Sequence, residues 1–435
     1  MISGFLNLIF DSKNKHRLLM INFWNQLVNN GLNIIAPAIT IGYTFSILGA
    51  NNFAYISFST AIIGFLSYIV EYGLITSAVR TVAVNHNNSY FLSTFAAATI
   101  IIKLIICSLL AVTLVIFFNA VDRFNDFKPA IWCSSGLLIS QVFNLNYFFL
   151  GLEENRLFAK ITLISKLIST VLILFLITKA DDYLIFLIIN SGITFITSIL
   201  SLVLIFHKYK LRLSLPSLDL IFDILKDGFH VFISNLSGCL WIYGPTFLLS
   251  LLVGNTVLGY YGLADRLSNI IVVVFMSVAQ VIMPSLALFN STNDIIQLKK
   301  YFEIIFKYAS FLLLLGYLIF YFSIDSILVL VLNKNINPVS QILKLAGFYT
   351  AFLCLSTLLQ PFLLSLHLDK KLSKIYLFAA LMFFANLIIL YFEKADIFFL
   401  LASICVFHVF VFLILFSTVN HTLKSGDNIS KTKLS

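Results

Sequence analysis

Long apolar segments alternate with short polar breaks along the whole chain of 435 residues, a pattern that predicts membrane-spanning helices. A helix needs roughly 20 mostly apolar residues to cross the hydrocarbon core of a bilayer. Backbone groups in lipid must be satisfied within the spanning segment, which favours helices over isolated strands. About twelve spans are predicted, near residues 18–46, 52–76, 90–118, 129–151, 158–179, 183–206, 229–253, 260–289, 304–323, 339–366, 375–392 and 397–418.

The positive charges concentrate in every second break between these spans. The basic breaks include Lys or Arg within residues 13–17, 80, 156–160, 208–226, 299–307, 370–374 and 424–433, whereas the opposite set contains Arg123, Lys128, Lys179, Lys334 and Lys394. By the positive-inside rule the richer set is cytoplasmic, which places both termini in the cytoplasm and requires an even number of spans. The formal net charge of +9 is therefore a topology signal and does not imply a nucleic-acid partner.

Composition argues against an enzyme with a soluble catalytic domain. The chain is 60% hydrophobic and 11% charged, whereas charged residues make up about 25% of a soluble domain. The sequence contains neither a P-loop, a His-Glu-x-x-His segment nor a Gly-x-Ser-x-Gly segment. The five cysteines fall singly inside apolar segments, so we expect free thiols and no metal site.

Several punctuating residues recur after about half the chain and suggest an internal duplication. Pro37 matches Pro245, and Pro129 matches Pro338 at the start of a span, with displacements of about 205 to about 215 residues over the whole set of matches. Chance matches of common residues are the alternative. Two parallel repeats of six spans would place a site between them. The predicted units are an N-terminal six-helix bundle at 1–206, a cytoplasmic linker at 207–228, a C-terminal six-helix bundle at 229–418 and a cytoplasmic tail at 419–435.

A stripe of amides follows one face of the first predicted span. Asn22, Gln26, Asn29 and Asn33 are spaced by four, three and four residues, which is helical spacing. Amides facing lipid would lack partners, so this face is expected either to look into a cavity or to bond to neighbouring helices.

Charged residues inside the predicted spans indicate the chemistry of the ligand. A Lys or Arg at the bilayer centre costs on the order of 3 kcal/mol, so such residues are kept where they serve a function or reach the interface. The candidates are Lys103, Lys166, Arg266 and Lys344 among the bases and Glu71 and Asp265 among the acids. The excess of cations predicts an anionic ligand. Glu71 could instead pair with Arg80.

Several short segments form a recognisable set: Gly49-Ala-Asn-Asn-Phe-Ala-Tyr55, Glu71-Tyr-Gly-Leu with Ala78-Val-Arg80, Phe148-Phe-Leu-Gly-Leu-Glu153, Val257-Leu-Gly-Tyr-Tyr-Gly-Leu-Ala264 and Pro284. Together they resemble the signature of Wzx-type O-antigen and polysaccharide flippases, within the multidrug/oligosaccharidyl-lipid/polysaccharide exporter superfamily. The resemblance runs over nearly the whole chain, through loose motifs of Gly, Tyr, Pro and apolar residues.

The resemblance implies a flippase of the bacterial inner membrane that moves undecaprenyl-pyrophosphate-linked repeat units from the cytoplasmic to the periplasmic leaflet by ion-coupled alternating access. Its expected partners are this lipid-linked oligosaccharide, membrane lipid and other polysaccharide-assembly membrane proteins; no cofactor is expected beyond a coupling proton or sodium ion. We predict that Arg80, Lys103, Lys166 and Arg266 bind the pyrophosphate, that Asn29 and Asn33 meet sugar hydroxyls, and that Glu71 and Asp265 couple the ion.

Two other functions remain open at this point. A multidrug or cation exporter of the same superfamily predicts acids, not bases, in the cavity. A polysaccharide polymerase or membrane glycosyltransferase needs a sizeable extracytoplasmic loop with catalytic groups, and the longest such break, near residues 119–128, offers only Asp122 and Asp126.

Overall fold

The computed structural model describes residues 13–212, 214–291, 295–332, 337–366, 368–393 and 397–432; for residues 13–35, 424–432 and isolated helical positions, this description covers the backbone. These ranges contain thirteen α-helices, here α1 to α13: Lys13–Glu71, Leu74–Val84, Ser89–Ala120, Lys128–Phe143, Asn146–Gly151, Asn155–Leu176, Tyr183–Lys208, Leu218–Leu252, Asn255–Ser291, Ile295–Leu332, Asn337–Ser365, Asp369–Phe392 and Ile397–Thr432. Short 3-10 turns at Asp122–Phe127 and Ala180–Asp182 precede α4 and α7.

Most residues of each predicted span lie in these helices, which confirm an all-α polytopic membrane protein. Ten helices in the described ranges are long and apolar enough to cross a bilayer. The first of them, Ala36–Glu71, contains the end of one predicted span and most of the next, because α1 runs through both. The fourth predicted span is divided between α4, which has 16 residues, and α5.

Helix breaks in the first half lie at residues with positive φ angles or beside a proline. Gly49 interrupts α1 with φ 72° and ψ 172°, a backbone conformation that glycine adopts without a steric penalty. Tyr72 and Gly73 also have positive φ angles and separate α1 from α2. Pro129 lies in the first turn of α4, where its missing N–H leaves no hydrogen bond unmade. In the second half, a break separates Leu252, the end of α8, from Asn255, the start of α9.

The two halves of the chain pack against each other through α1. This helix contacts both α8 and α9, and α9 in turn packs against α11. One hydrophobic cluster contains buried residues from both halves, with the rings of Phe58 and Phe247 stacked 6.3 Å apart. A second cluster, centred on Phe302 and Phe362, lies wholly within the second half. The region between α1 and α9 is thus where the halves meet.

The segment joining the halves runs directly into the next long helix. The spacing of Leu218, Ile221 and Leu225 predicts an amphipathic helix at the membrane surface, and Leu218 begins α8, which continues through the seventh predicted span to Leu252. Ser217 caps its first turn by accepting a hydrogen bond from the Leu220 N–H. The first turns of α8 contain charged residues such as Asp219 and Asp223, and the apolar stretch long enough to cross a bilayer is Val231–Leu252.

Candidate functional site

A cavity of about 360 Å³ lies between the halves, at the level of Pro37 in α1. Its walls come from α1, α6 and α7 of the first half and from α9 of the second. The lining residues are Ala36, Pro37, Thr40, Ile41, Lys166, Ser169, Thr170, Ile173, Phe186, Asn190, Arg266, Asn269, Ile270 and Val273. Two of the predicted substrate-binding bases, Lys166 and Arg266, therefore share one cavity although they are far apart in sequence.

Arg266 reaches this cavity from α9 and is held by three contacts with the first half. Its Nη2 donates a hydrogen bond of 3.1 Å to Thr60 Oγ1. The guanidinium carbon lies 5.2 Å from the centre of the Phe53 ring and 5.8 Å from that of Phe186, within the range of cation–π attraction. A guanidinium has five N–H donors in a planar fork, so the single bond to Thr60 leaves donors for an anionic ligand.

Neutral polar groups complete the cavity wall. Thr40 donates to backbone carbonyls of its own helix, at 3.1 Å to Ala36. Asn190 donates to the Phe186 carbonyl at 3.0 Å, and Asn269 donates to Asp265 Oδ2 at 3.2 Å. Ser169 and Thr170 follow Lys166 by one turn of α6. Hydroxyls and amides of this kind exchange hydrogen bonds with sugar hydroxyls.

None of the described residues that line the cavity is acidic. Asp265 is adjacent to Arg266 in sequence, but neighbours along a helix point in different directions; its carboxylate accepts a hydrogen bond from the lining residue Asn269 without itself belonging to the lining. Arginine and lysine without an acid in the lining make the cavity attractive to anions.

Lys103 lies elsewhere, in a buried ion pair with Glu71. The Lys103 ammonium is 2.7 Å from Glu71 Oε2 and donates a second bond of 2.9 Å to the backbone carbonyl of Asn144. It also lies 5.3 Å from the centre of the Tyr147 ring. The Lys103 side chain is 0% exposed and that of Glu71 is 8% exposed. Glu71 is the last residue of α1, and Asn144 directly follows α4. Lys103 of α3 therefore bonds to the C-terminal ends of both helices.

The remaining predicted site residues are dispersed. Arg80 is exposed on α2, beyond the break at Gly73, and Glu71 pairs with Lys103 instead of Arg80. Lys344 pairs with Asp325 at 2.7 Å, outside the cavity lining. The side chains of Asn29 and Asn33 lie outside the described residues. The cavity therefore brings together Lys166 and Arg266 and includes neither Lys103 nor Arg80.

Sequence reasoning missed several residues of the cavity wall. Asn190 and Asn269 each interrupt an apolar span with an amide, which is the signal that singled out Asn29 and Asn33 in the first span. Thr60 gave no signal, because threonine in a spanning helix ordinarily bonds to its own backbone, as Thr60 also does to the Ile56 carbonyl at 2.7 Å.

The fold and the cavity define a polytopic helical membrane protein with a cationic chamber between two halves. The sequence profile of the family described as "Polysaccharide biosynthesis protein" matches residues 22–289, which include most of the first half and the cavity-lining part of α9. The chain belongs to this family, and the predicted family resemblance is confirmed.

Two curated relatives bear the name "Putative O-antigen transporter". The one from Escherichia coli (strain K12) is 24% identical over 276 residues, 63% of this chain and 66% of that protein. The one from Shigella dysenteriae is 25% identical over 354 residues, 81% of this chain and 88% of that protein.

The fold is shared with solved structures of a multidrug resistance transporter of the MATE family in the MOP superfamily. Its inward-facing conformation gives a TM-score of 0.71 at 13% identity, covering 91% of this chain and 96% of that chain. Its outward-facing conformation gives 0.61 at 13% identity, covering 97% and 98%. At this identity the likeness concerns the fold alone. That relatives and structural neighbours are named as transporters agrees with the prediction of a protein that is not an enzyme.

Proposed function

We propose that this protein is a flippase that moves a polyprenyl-pyrophosphate-linked saccharide, of the O-antigen repeat-unit type, across the bacterial inner membrane. The observation that carries the proposal is the pair Lys166 and Arg266 in a cavity between the halves, with no acid among the described lining residues. The family membership and the names of the two relatives support the same substrate class.

The cavity suggests how such a substrate binds. The pyrophosphate lies between Lys166 and Arg266, whose charge-assisted hydrogen bonds are roughly twice as strong as neutral ones. Saccharide hydroxyls meet Thr40, Asn190 and the other neutral groups of the wall. Asn29 and Asn33 precede Pro37 by eight and four residues, and we propose on this sequence spacing alone that they also meet saccharide hydroxyls. The polyprenyl chain stays in lipid, where its apolar surface has no desolvation cost.

Translocation requires the halves to expose the cavity first to the cytoplasmic leaflet and then to the periplasmic leaflet. We propose that both termini are cytoplasmic, as the distribution of Lys and Arg indicates. A proton or sodium ion drives the change of state, with Asp265, bonded to the lining residue Asn269, and Glu71, in its buried pair, as the acids available to respond. A drug or cation exporter would instead need an acid facing its ligand, and the described lining provides bases.

A complementation experiment tests the proposal. A strain lacking the protein should accumulate lipid-linked repeat units at the cytoplasmic face and lose surface polysaccharide. Arg266→Gln and Lys166→Gln should fail to restore the polysaccharide at normal protein levels, because each removes one of two charges from the cavity. Lys160→Gln is the matched control, since Lys160 is an exposed lysine of the same helix, six residues before Lys166 and outside the cavity lining.

Restoration of surface polysaccharide by both cavity variants would contradict the assignment of the pyrophosphate to this site. If the strain lacking the protein makes normal polysaccharide and is sensitive to cationic drugs, the protein is an exporter of such drugs and not a flippase.

A further inference from the structure

The halves are joined beside the cavity by a tight helix contact, which we call the seam: residues 50–60 of α1 against residues 255–266 of α9. Two glycines of α9 make the close approach possible. A Cβ on Gly259 would lie 1.8 Å from the Ala50 carbonyl oxygen, and one on Gly262 would lie 2.0 Å from Ser57 Oγ. At Gly259 the two backbones approach so closely that any larger residue would clash with the Ala50 carbonyl.

Three polar contacts cross the seam. At its far end from the cavity, the Thr256 hydroxyl donates to Asn51 Oδ1. Next to it, Asn255 Nδ2 donates to the Tyr55 hydroxyl oxygen at 3.3 Å. At the cavity end, Arg266 donates to Thr60 Oγ1 at 3.1 Å. This third contact belongs to a residue that also lines the cavity, so it joins the ligand chamber to the seam.

We propose that the Arg266–Thr60 hydrogen bond is a latch that an anionic ligand opens. This inference rests on the proposed function, since it gives the cationic cavity a means of releasing the halves. A phosphate oxygen offers Arg266 a charge-assisted bond, whereas Thr60 offers a neutral hydroxyl oxygen. Turning the guanidinium toward the ligand costs Thr60 little, because its own proton remains bonded to the Ile56 carbonyl. Thr60 is thus a positioning residue, and Arg266 is the ligand-sensing group.

The strength of this hydrogen bond sets how far the ratio of closed to separated seam can shift. A hydrogen bond with one charged partner changes an equilibrium by about tenfold or somewhat more. Loss of the latch should shift the balance between closed and separated seam by a similar factor. The other two polar contacts and the glycine packing remain, so the seam opens more often without losing its ability to close.

Cross-linking across the far end of the seam measures this balance. Asn51→Cys and Thr256→Cys, two exposed positions whose side chains touch, are introduced into the full chain after its five cysteines are replaced by alanine. A short bifunctional thiol reagent then reports the closed fraction in membranes, with and without inorganic pyrophosphate as the probe.

Thr60→Val removes the latch acceptor, and Thr44→Val is the matched control. Thr44 lies on the same helix and bonds to its own backbone in the same way, but it is outside the cavity lining. We expect pyrophosphate to slow cross-linking several-fold in the parent protein and in Thr44→Val. Thr60→Val should cross-link slowly without pyrophosphate and respond little when it is added.

Equal cross-linking in Thr60→Val and the parent under both conditions would overturn the latch, as would a parent protein that does not respond to pyrophosphate at all. Complementation by the same variants separates this result from the proposed function. If the protein restores polysaccharide but its cross-linking does not respond to pyrophosphate, the latch is wrong and the flippase stands. If cross-linking responds to pyrophosphate but the protein restores no polysaccharide, the latch stands and the flippase is wrong.

Discussion

The buried pair of Lys103 and Glu71 allows a test that separates charge pairing from function. Lys103→Met removes the ammonium with little change of volume, and Glu71→Gln removes the opposite charge while keeping the shape of the side chain. Each single variant leaves a charge that is almost fully enclosed, because the two side chains are 0% and 8% exposed. The double variant leaves neither charge.

The expected magnitudes differ sharply between these variants. Breaking a buried ion pair by removing one partner costs about 3 to 5 kcal/mol, whereas replacing both partners by neutral groups is often close to neutral. Lys103→Met also removes the donor to the Asn144 carbonyl, which adds about 1 kcal/mol to that variant and to the double variant. The coupling energy of the double-mutant cycle should therefore exceed about 2 kcal/mol and favour the double variant over the sum of the singles.

The assay exposes the detergent-solubilised protein to heat or denaturant and measures the fraction that stays monodisperse. Single variants that are as stable as the parent would refute the energetic reasoning, and so would a double variant no better than the worse single. Complementation with the stable double variant then decides the role. Restored polysaccharide makes the pair structural, and a folded but inactive protein supports the predicted part of Glu71 in ion coupling.

Three further perturbations follow from the backbone and from the surface charges. Gly259→Ala should lower thermal stability and weaken the contact across the seam, since its new Cβ meets a carbonyl oxygen of the facing helix. Gly238→Ala should change little, because a Cβ there has nothing within 4 Å. The measurement is the heat resistance of each variant beside the parent protein. Gly49→Ala should cost about 1 to 3 kcal/mol through backbone strain alone, because φ 72° with ψ 172° is a region that essentially only glycine occupies and open space surrounds it; a stability unchanged from the parent would contradict this. The hydrogen bond from Lys208 lowers the pKa of Glu154. The small stabilisation from this bond is therefore present above the ordinary pKa of a glutamate and is lost as the pH falls through the lowered pKa of Glu154. Lys208→Met should flatten that part of the stability profile against pH.

The helical, membrane-spanning character of the chain could be predicted from the sequence because lipid forces each helix to satisfy its own backbone. The limits of the helices were harder to predict: α1 runs through two predicted spans, and ten helices in the described ranges are long and apolar enough to cross a bilayer. At residues 218–225, local amphipathicity does not reveal that the helix continues into the next apolar segment.

The roles of the charges depended on contacts between distant residues. Lys103 and Lys166 look alike in sequence, each a base inside an apolar span, yet Lys103 closes a pair with Glu71 and Lys166 lines the cavity. Arg266 reaches Thr60, 206 positions away, and no local pattern encodes that partner. The sequence by itself determined that the chain crosses the membrane as helices and contains more bases than acids within them. The tertiary structure decided which bases face a ligand, because that depends on how each helix is rotated and on which helix lies beside it.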